Sequence, residues 1–152
     1  MGSFSFNGLD EISASLKQLA ELTDEDKLSV LMPSAQLLQQ RHKEKIRQLF
    51  IRRTGDLEDS LTITTKESDE GPIVVIYPKG KHRGSGTGKR KGKRRSNGKY
   101  SGTNAEVAYV LEYGSPRIAA THWMETANEE AENEVYESQQ ASWDDLLTKK
   151  GL

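Results

Sequence analysis

Apolar residues recur every three or four positions through the first fifty residues, and every second position soon afterwards. Leu9, Ile12, Leu16, Leu19 and Leu22 form one helical stripe, with Asn7 or Asp10 able to cap its start. Thr23 or Asp24 offers a second cap for a short turn through Leu28 and Leu31. Pro33 suits the first turn of a longer helix, where a missing donor costs nothing. That helix is expected from about Ser34 to Arg53, with Leu38, Ile46, Leu49 and Phe50 facing inward and Gly55 as a left-handed C-terminal cap. Its middle, QQRHKEKIR from Gln39 to Arg47, is charged on most faces and reads as thinly buried.

From Leu57 the period becomes two. Leu57, Leu61 and Ile63 alternate with Ser60, Thr62 and Thr64, and the turn-rich SDEG at 68–71 leads into PIVVIYP at 72–78. The pair reads as an antiparallel hairpin. Ala105 to Gly114 fits a short helix closed by Gly114, and Pro116 to Ala120 an extended connection. Trp123, Ala127, Ala131 and Val135 fall four apart on a final helix from about His122 to Gln139. Its other faces carry Glu125, Glu129, Glu130, Glu132, Glu134 and Glu137, an acidic surface suited to a basic partner. Trp143, Leu146 and Leu147 form a small apolar group in a C-terminal tail, residues 140–152.

Charge changes this picture most. Lys79, Lys81, Arg83, Lys89, Arg90, Lys91, Lys93, Arg94, Arg95 and Lys99 fall in one run with no acidic residue. The net charge of −1 therefore hides a body with the other 12 basic residues against all 23 acidic ones, a formal −11. Glycines throughout residues 79–103 favour a flexible insertion in an otherwise single domain spanning 1–152. Such segregation speaks of partners: nucleic acid, the acidic face of a neighbouring copy, or neither if the segment is merely solvated. No aromatic residue interleaves the run before Tyr100, which argues against base stacking. With 34% hydrophobic and 30% charged residues, the chain is polar for a lone globule and suits one that buries surface in an assembly.

Chemistry is excluded more readily than assigned. The glycines at 84, 86 and 88 do not make a phosphate loop: Arg83 stands where its first glycine belongs, and Arg90 where it needs Ser or Thr. His42, His82 and His122 have no ligand spacing and read as surface or packing residues, and Asp56, Glu58 and Asp59 as a solvated turn. The absence of cysteine removes disulfides and thiolate metal sites. No membrane span, signal peptide, cofactor, metal or catalytic constellation is expected.

Three ordered patterns carry a family resemblance. Residues Arg53-Thr54-Gly55-Asp56-Leu57-Glu58-Asp59-Ser60-Leu61 resemble an RTG-x-L-x-x-S-hydrophobic signature. Ala108 to Ser115, through Tyr109, Glu112, Tyr113 and Gly114, resembles YA-x-x-V-E-F-G-T, and Ala120 to Ala127 resembles A-x-P-F-L-x-x-A. The opening Phe4 to Glu11 is similar to the same family's usual start. Together these resemble the gene-product-ten-like tail-component family of tailed double-stranded DNA phages, which includes neck, tail-completion and tail-terminator proteins. Thr121-His122-Trp123 departs from that pattern, which has proline and phenylalanine there, and the basic run is an insertion.

The resemblance implies an α+β fold: a small, mixed, mainly antiparallel sheet flanked by N-terminal, central and C-terminal helices. It implies a non-enzymatic virion protein of the neck, a homo-oligomeric ring of six or twelve copies. That ring would join the head connector or stopper to tail-tube or terminator proteins, with genome DNA possible in its lumen and assembly in the host bacterial cytoplasm. Arg53, Thr54, Gly55, Leu57, Ser60, Tyr109, Glu112, Gly114 and Trp123 become structural residues, with Leu57 and Leu61 entering the sheet and Arg53 able to pair with Glu112. The rival reading of the residues is a non-specific nucleic-acid-binding module that uses 79–99.

Overall fold

The computed structural model of the chain describes residue 17 and residues 21–49, 55–69, 71–81 and 103–151. The predicted first helix, Phe50, Arg53, Thr54 and most of the basic run lie outside them. Among the described residues the order is α1 (Asp24–Gln48), α2 (Asp56–Ser60), β1 (Leu61–Ser68), β2 (Gly71–Pro78), α3 (Asn104–Tyr113) and α4 (Trp123–Lys150). This is an α+β fold, as expected, and its described sheet is one antiparallel hairpin.

Helix α1 begins where the sequence signals it. Thr23 Oγ1 accepts the Asp26 amide at 3.2 Å, and the Asp26 carboxylate accepts the Thr23 amide at 3.0 Å, so two first-turn donors are satisfied reciprocally. The helix then runs without a break through Pro33, which corrects the expected start at Ser34. Proline inside a helix removes the bond to the carbonyl four residues back. Here Pro33 and Ser29 are both exposed, so water can reach the freed carbonyl, while packing on α4 holds both halves in line.

That packing is antiparallel and spans almost the whole of both helices. Pairs run along it from Lys150 with Asp26, through Gln139 with Ser34 and Arg41 with Glu134, to His42 with Asn128 and Lys45 with Glu130. The stretch expected to be thinly buried therefore has a buried face, with His42, Lys45 and Ile46 all buried. The final helix, expected to stop at Gln139, continues to Lys150, so residues 140–150 are its last turns and not a tail. Leu146 is buried there, and Gly151 ends the helix at φ 75°.

The hairpin pairs Leu61 with Pro78 at its base and Ser68 with Gly71 at its tip. Lys79 N–H donates to Ser60 O at 2.9 Å, which fixes odd positions of β2 as the bonded ones. Pro72 and Pro78 are even, so neither removes a ladder bond. Leu57 and Ser60 do not enter the sheet: they lie on α2, which carries the chain into β1. Gly55 adopts φ 81°, left-handed as expected, but it caps the start of α2 instead of ending the preceding helix. Leu49, the C-cap of α1, is 40% exposed and does not face inward.

The core is small. Ile46 and Trp123 are fully buried against Leu57, Leu61 and Ala108, with Leu111 and Met124 packed on them. Asp56 and Glu58 are buried beside it, not solvated, and Arg47 Nε donates to Glu58 at 2.8 Å. Among the described residues no helix is long and apolar enough to cross a membrane.

Candidate functional site

Two oppositely charged features and one tight junction are the places where this fold concentrates chemistry. The acidic feature is α4. All six of Glu125, Glu129, Glu130, Glu132, Glu134 and Glu137 are exposed, but they are not equivalent. Glu134 accepts two donors of Arg41 and Glu130 contacts Lys45, so these two bind α4 to α1. Glu125 lies beside His122, 3.3 Å from its Nδ1. Glu129, Glu132 and Glu137 pair with no cation among the described residues and present charge outward.

The basic feature is met at its root. Lys79 follows β2, and Lys81 pairs with Thr103 in an isolated antiparallel bridge. Asn104 reinforces that closure: its amide donates to Gly80 O and its Nδ2 to Lys79 O, each at 3.0 Å. Thr103 then caps α3 in a second reciprocal box with Glu106. Residues 82–102, with Arg83, Lys89, Arg90, Lys91, Lys93, Arg94, Arg95 and Lys99, thus leave and return through one closed gate. Those eight side chains lie outside the described residues.

The junction joins α3 to α4. Gly114 ends α3 as expected, at φ 81° and ψ 179°. Residues 115–118 then make a tight turn closed by mutual Ser115–Ile118 bonds, where an extended connection was expected. Thr121 and His122 donate back to Leu111 O and Glu112 O, which satisfies carbonyls at the end of α3. The turn delivers Trp123 to the core, where its Nε1 faces Ala108 O at 3.4 Å.

His122 stands at the N-cap of α4 in the left-handed region, φ 48°, and supplies no side-chain cap. Glu112 supplies it from the neighbouring helix. Its buried carboxylate accepts the amides of Met124 at 2.7 Å and Glu125 at 3.1 Å. A negative charge there also complements the positive end of the helix. Sequence reasoning placed Glu112 in a structural motif but assigned it to Arg53, which lies outside the described residues. The available signal was a long helix starting at His122, with no Ser, Thr, Asp or Asn at its cap position: its donors had to be met from elsewhere.

Glu112, His122 and Glu125 also offer ligand atoms within 4.8 Å of one another, the one such group of three among the described residues. Both oxygens of Glu112 are already committed to amide donors, and the helix terminus opposes a cation. The group is the start of α4, with Glu112 as its cap.

His42 is buried edge-on against Trp123, ring centroids 5.7 Å apart, and its Nε2 donates to Asn128 Oδ1 at 2.7 Å. It is a packing histidine. Burial holds its pKa below the usual value, outweighing the Asn128 bond and the Glu112 charge, which favour protonation. The unfolded chain therefore binds the proton more readily than the folded one. Stability should fall as the pH drops below about 6.5, the ordinary histidine value, and level off below the lowered folded value. Urea midpoints at pH 7.5 and 5.5 should show this loss in the wild type and a smaller one in His42→Gln.

The described parts of the motif residues behave as structure: Gly55 and Gly114 as turns, Leu57 and Trp123 as core, Ser60 through its hydroxyl on Leu57 O, Glu112 as the cap. Tyr109 is the exception, 64% exposed and stacked on the equally exposed Tyr113.

The helices and the hairpin of the described residues define a small protein of the α+β class. A profile of the family described as bacteriophage HK97-gp10, tail component, matches residues 10–114, and the chain belongs to that family of phage tail components. The match covers the first motif and all but the last residue of the second, and stops at Gly114, before α4. No curated protein and no solved structure matches the chain significantly.

Proposed function

We propose that this tail component works at the neck of the virion, as a tail-completion or tail-terminator subunit, in a closed ring that joins the head connector to the tail. Host cytoplasm is where the ring assembles, and its two rims meet connector and tail-tube proteins. The observation that carries this reading is the outward acidic row Glu129, Glu132 and Glu137 on a chain whose sequence holds eight cations between the bridged residues Lys81 and Thr103. Head-to-tail rotational contacts bring a different patch of the next copy against each patch, so complementary charges on one chain favour closure. The 21 residues between the gate partners can reach at most roughly 35 Å from it, half their extended length. That is ample to cross to a neighbour.

The test replaces residues 82–102 by a short glycine linker, and separately reverses Glu129, Glu132 and Glu137 to lysine. Each variant should lower the oligomer mass in light scattering at fixed concentration and abolish head–tail joining of particles. Should both keep the wild-type mass and joining while the deletion loses salt-sensitive DNA binding, the nucleic-acid module replaces the ring strap.

A further inference from the structure

Two apolar features lie on the surface of the subunit, one projecting and one hollow. The projecting one closes α3. Tyr109 and Tyr113, each 64% exposed, stack with ring centroids 4.8 Å apart, and Ile118, also exposed, follows in the 115–118 turn. The hollow one is a trough along the α1–α4 seam. One part, of about 280 Å³, is walled by Leu31, Ala35, Leu38, Ile73, Ile76 and Val135. It adjoins a second part of about 490 Å³ that shares Leu38 and Val135 and adds Tyr136. Six large apolar side chains are exposed among the described residues, and five of them belong to these two features: Tyr109, Tyr113 and Ile118 on the knob, Ile73 and Tyr136 on the trough. Exposed apolar surface gathered in this way marks a contact surface.

We propose that the tyrosine knob of one copy seats in the trough of the next. No residue belongs to both features, so each copy can offer its knob to one neighbour and its trough to another, a head-to-tail contact. Charge complementarity points to a second copy as the occupant. Arg117 stands beside Ile118 in the same turn, exposed and paired with no carboxylate among the described residues. Glu129 and Glu132 line the trough and pair with no cation among them. A knob with a cationic edge thus meets a trough with an acidic rim. The phenols agree with this seat. Tyrosine buries an apolar ring but its hydroxyl needs a partner, and neither the Tyr109 nor the Tyr113 hydroxyl has one among the described residues. The Glu132 carboxylate and the Gln139 side-chain carbonyl, both at the trough, are suitable acceptors. The inference rests on the self-association in the reading above, not on the 82–102 strap or on a place in the virion.

The test uses side chains that are already exposed, so that their replacement spares the core. Tyr109→Glu with Tyr113→Glu removes the knob, and Ile73→Glu with Tyr136→Glu spoils the trough. Each double variant should self-associate on the order of tenfold more weakly than the wild type in sedimentation velocity across a concentration series, as expected for losing central aromatic anchors. Mixed one to one, the two variants should form a dimer that neither forms alone, because one intact knob then meets one intact trough. Wild-type association of either variant would overturn this contact and leave the ring to be held elsewhere. A mixture no more associated than its components would overturn it as well. A wild type that stays monomeric at every concentration would sink the ring and this contact together.

A second readout does not depend on the glutamate variants folding. The chain has no cysteine, so introduced thiols report without background. On oxidation, Tyr113→Cys mixed with Tyr136→Cys should cross-link between chains several-fold faster than either variant alone. Equal rates overturn the pairing.

Discussion

Trp123→Ala should cost about 3–5 kcal/mol of folding free energy, the usual range for deleting a large buried aromatic side chain. Trp123 is fully buried, anchors the cluster of Ile46, Leu57, Leu61 and Ala108, and backs the ring of His42. Each of α1, α2, β1, α3 and α4 contributes to its surroundings, so no single element can close over the vacancy. Against a total stability of about 5–15 kcal/mol, the loss leaves a chain close to its unfolding threshold. Urea denaturation followed by far-ultraviolet circular dichroism should show a much lower midpoint with an unchanged slope. Trp123→Phe, the residue type of the resembled motif, keeps most of the packing and should lose about 1–2 kcal/mol, including the indole donor. A midpoint for Trp123→Ala within error of the wild type would show that the core is organised elsewhere.

Gly114→Ala is the second large effect, and it acts through the backbone. At φ 81° and ψ 179° the residue occupies ground that side chains rarely enter, worth about 1–3 kcal/mol in strain alone. A Cβ there would also stand 2.9 Å from Ala120 N and 3.0 Å from Ile118 O. Both obstacles are backbone, so neither can swing aside. Relief requires opening the 115–118 turn, which would pull Thr121 and His122 from the carbonyls of α3 and displace Trp123. The expected result is a lowered midpoint with faster exchange of the Met124 and Glu125 amides, which Glu112 would no longer reach. Native-state hydrogen exchange reads those amides directly. If they stay protected, the turn and the cap are not coupled.

How far this could be read from sequence follows from which forces are local. The hairpin was legible because Leu61 and Ile63 alternate with polar neighbours and five β-favouring residues run between Pro72 and Pro78. Helix α3 was legible because Gly114 sits in the chain next to what it caps; the box at Thr103 is just as local and went unread. Pro33 misled because its rule concerns the backbone alone, whereas an exposed position and a long partner helix decided the outcome. The charged stretch around His42 misled for the converse reason. Lys45 and His42 look solvated by composition, yet Glu130 and Asn128, more than eighty residues away, pair with them. Glu112 was placed in the right motif, while its two amide donors become visible only when α3 and α4 are brought together. The acidic row was legible as a face, but not its division between glutamates that bind α1 and glutamates that point outward.

The gate formed by Lys81, Thr103 and Asn104 makes whatever lies between its posts exchangeable. Loop-closure entropy grows so slowly that doubling the intervening length costs only about 0.6 kcal/mol. A tail component of this build can therefore swap the contents of that cassette, in size or in sign, without renegotiating its fold. Laboratory grafting of an epitope or fluorophore tag would exploit the same tolerance.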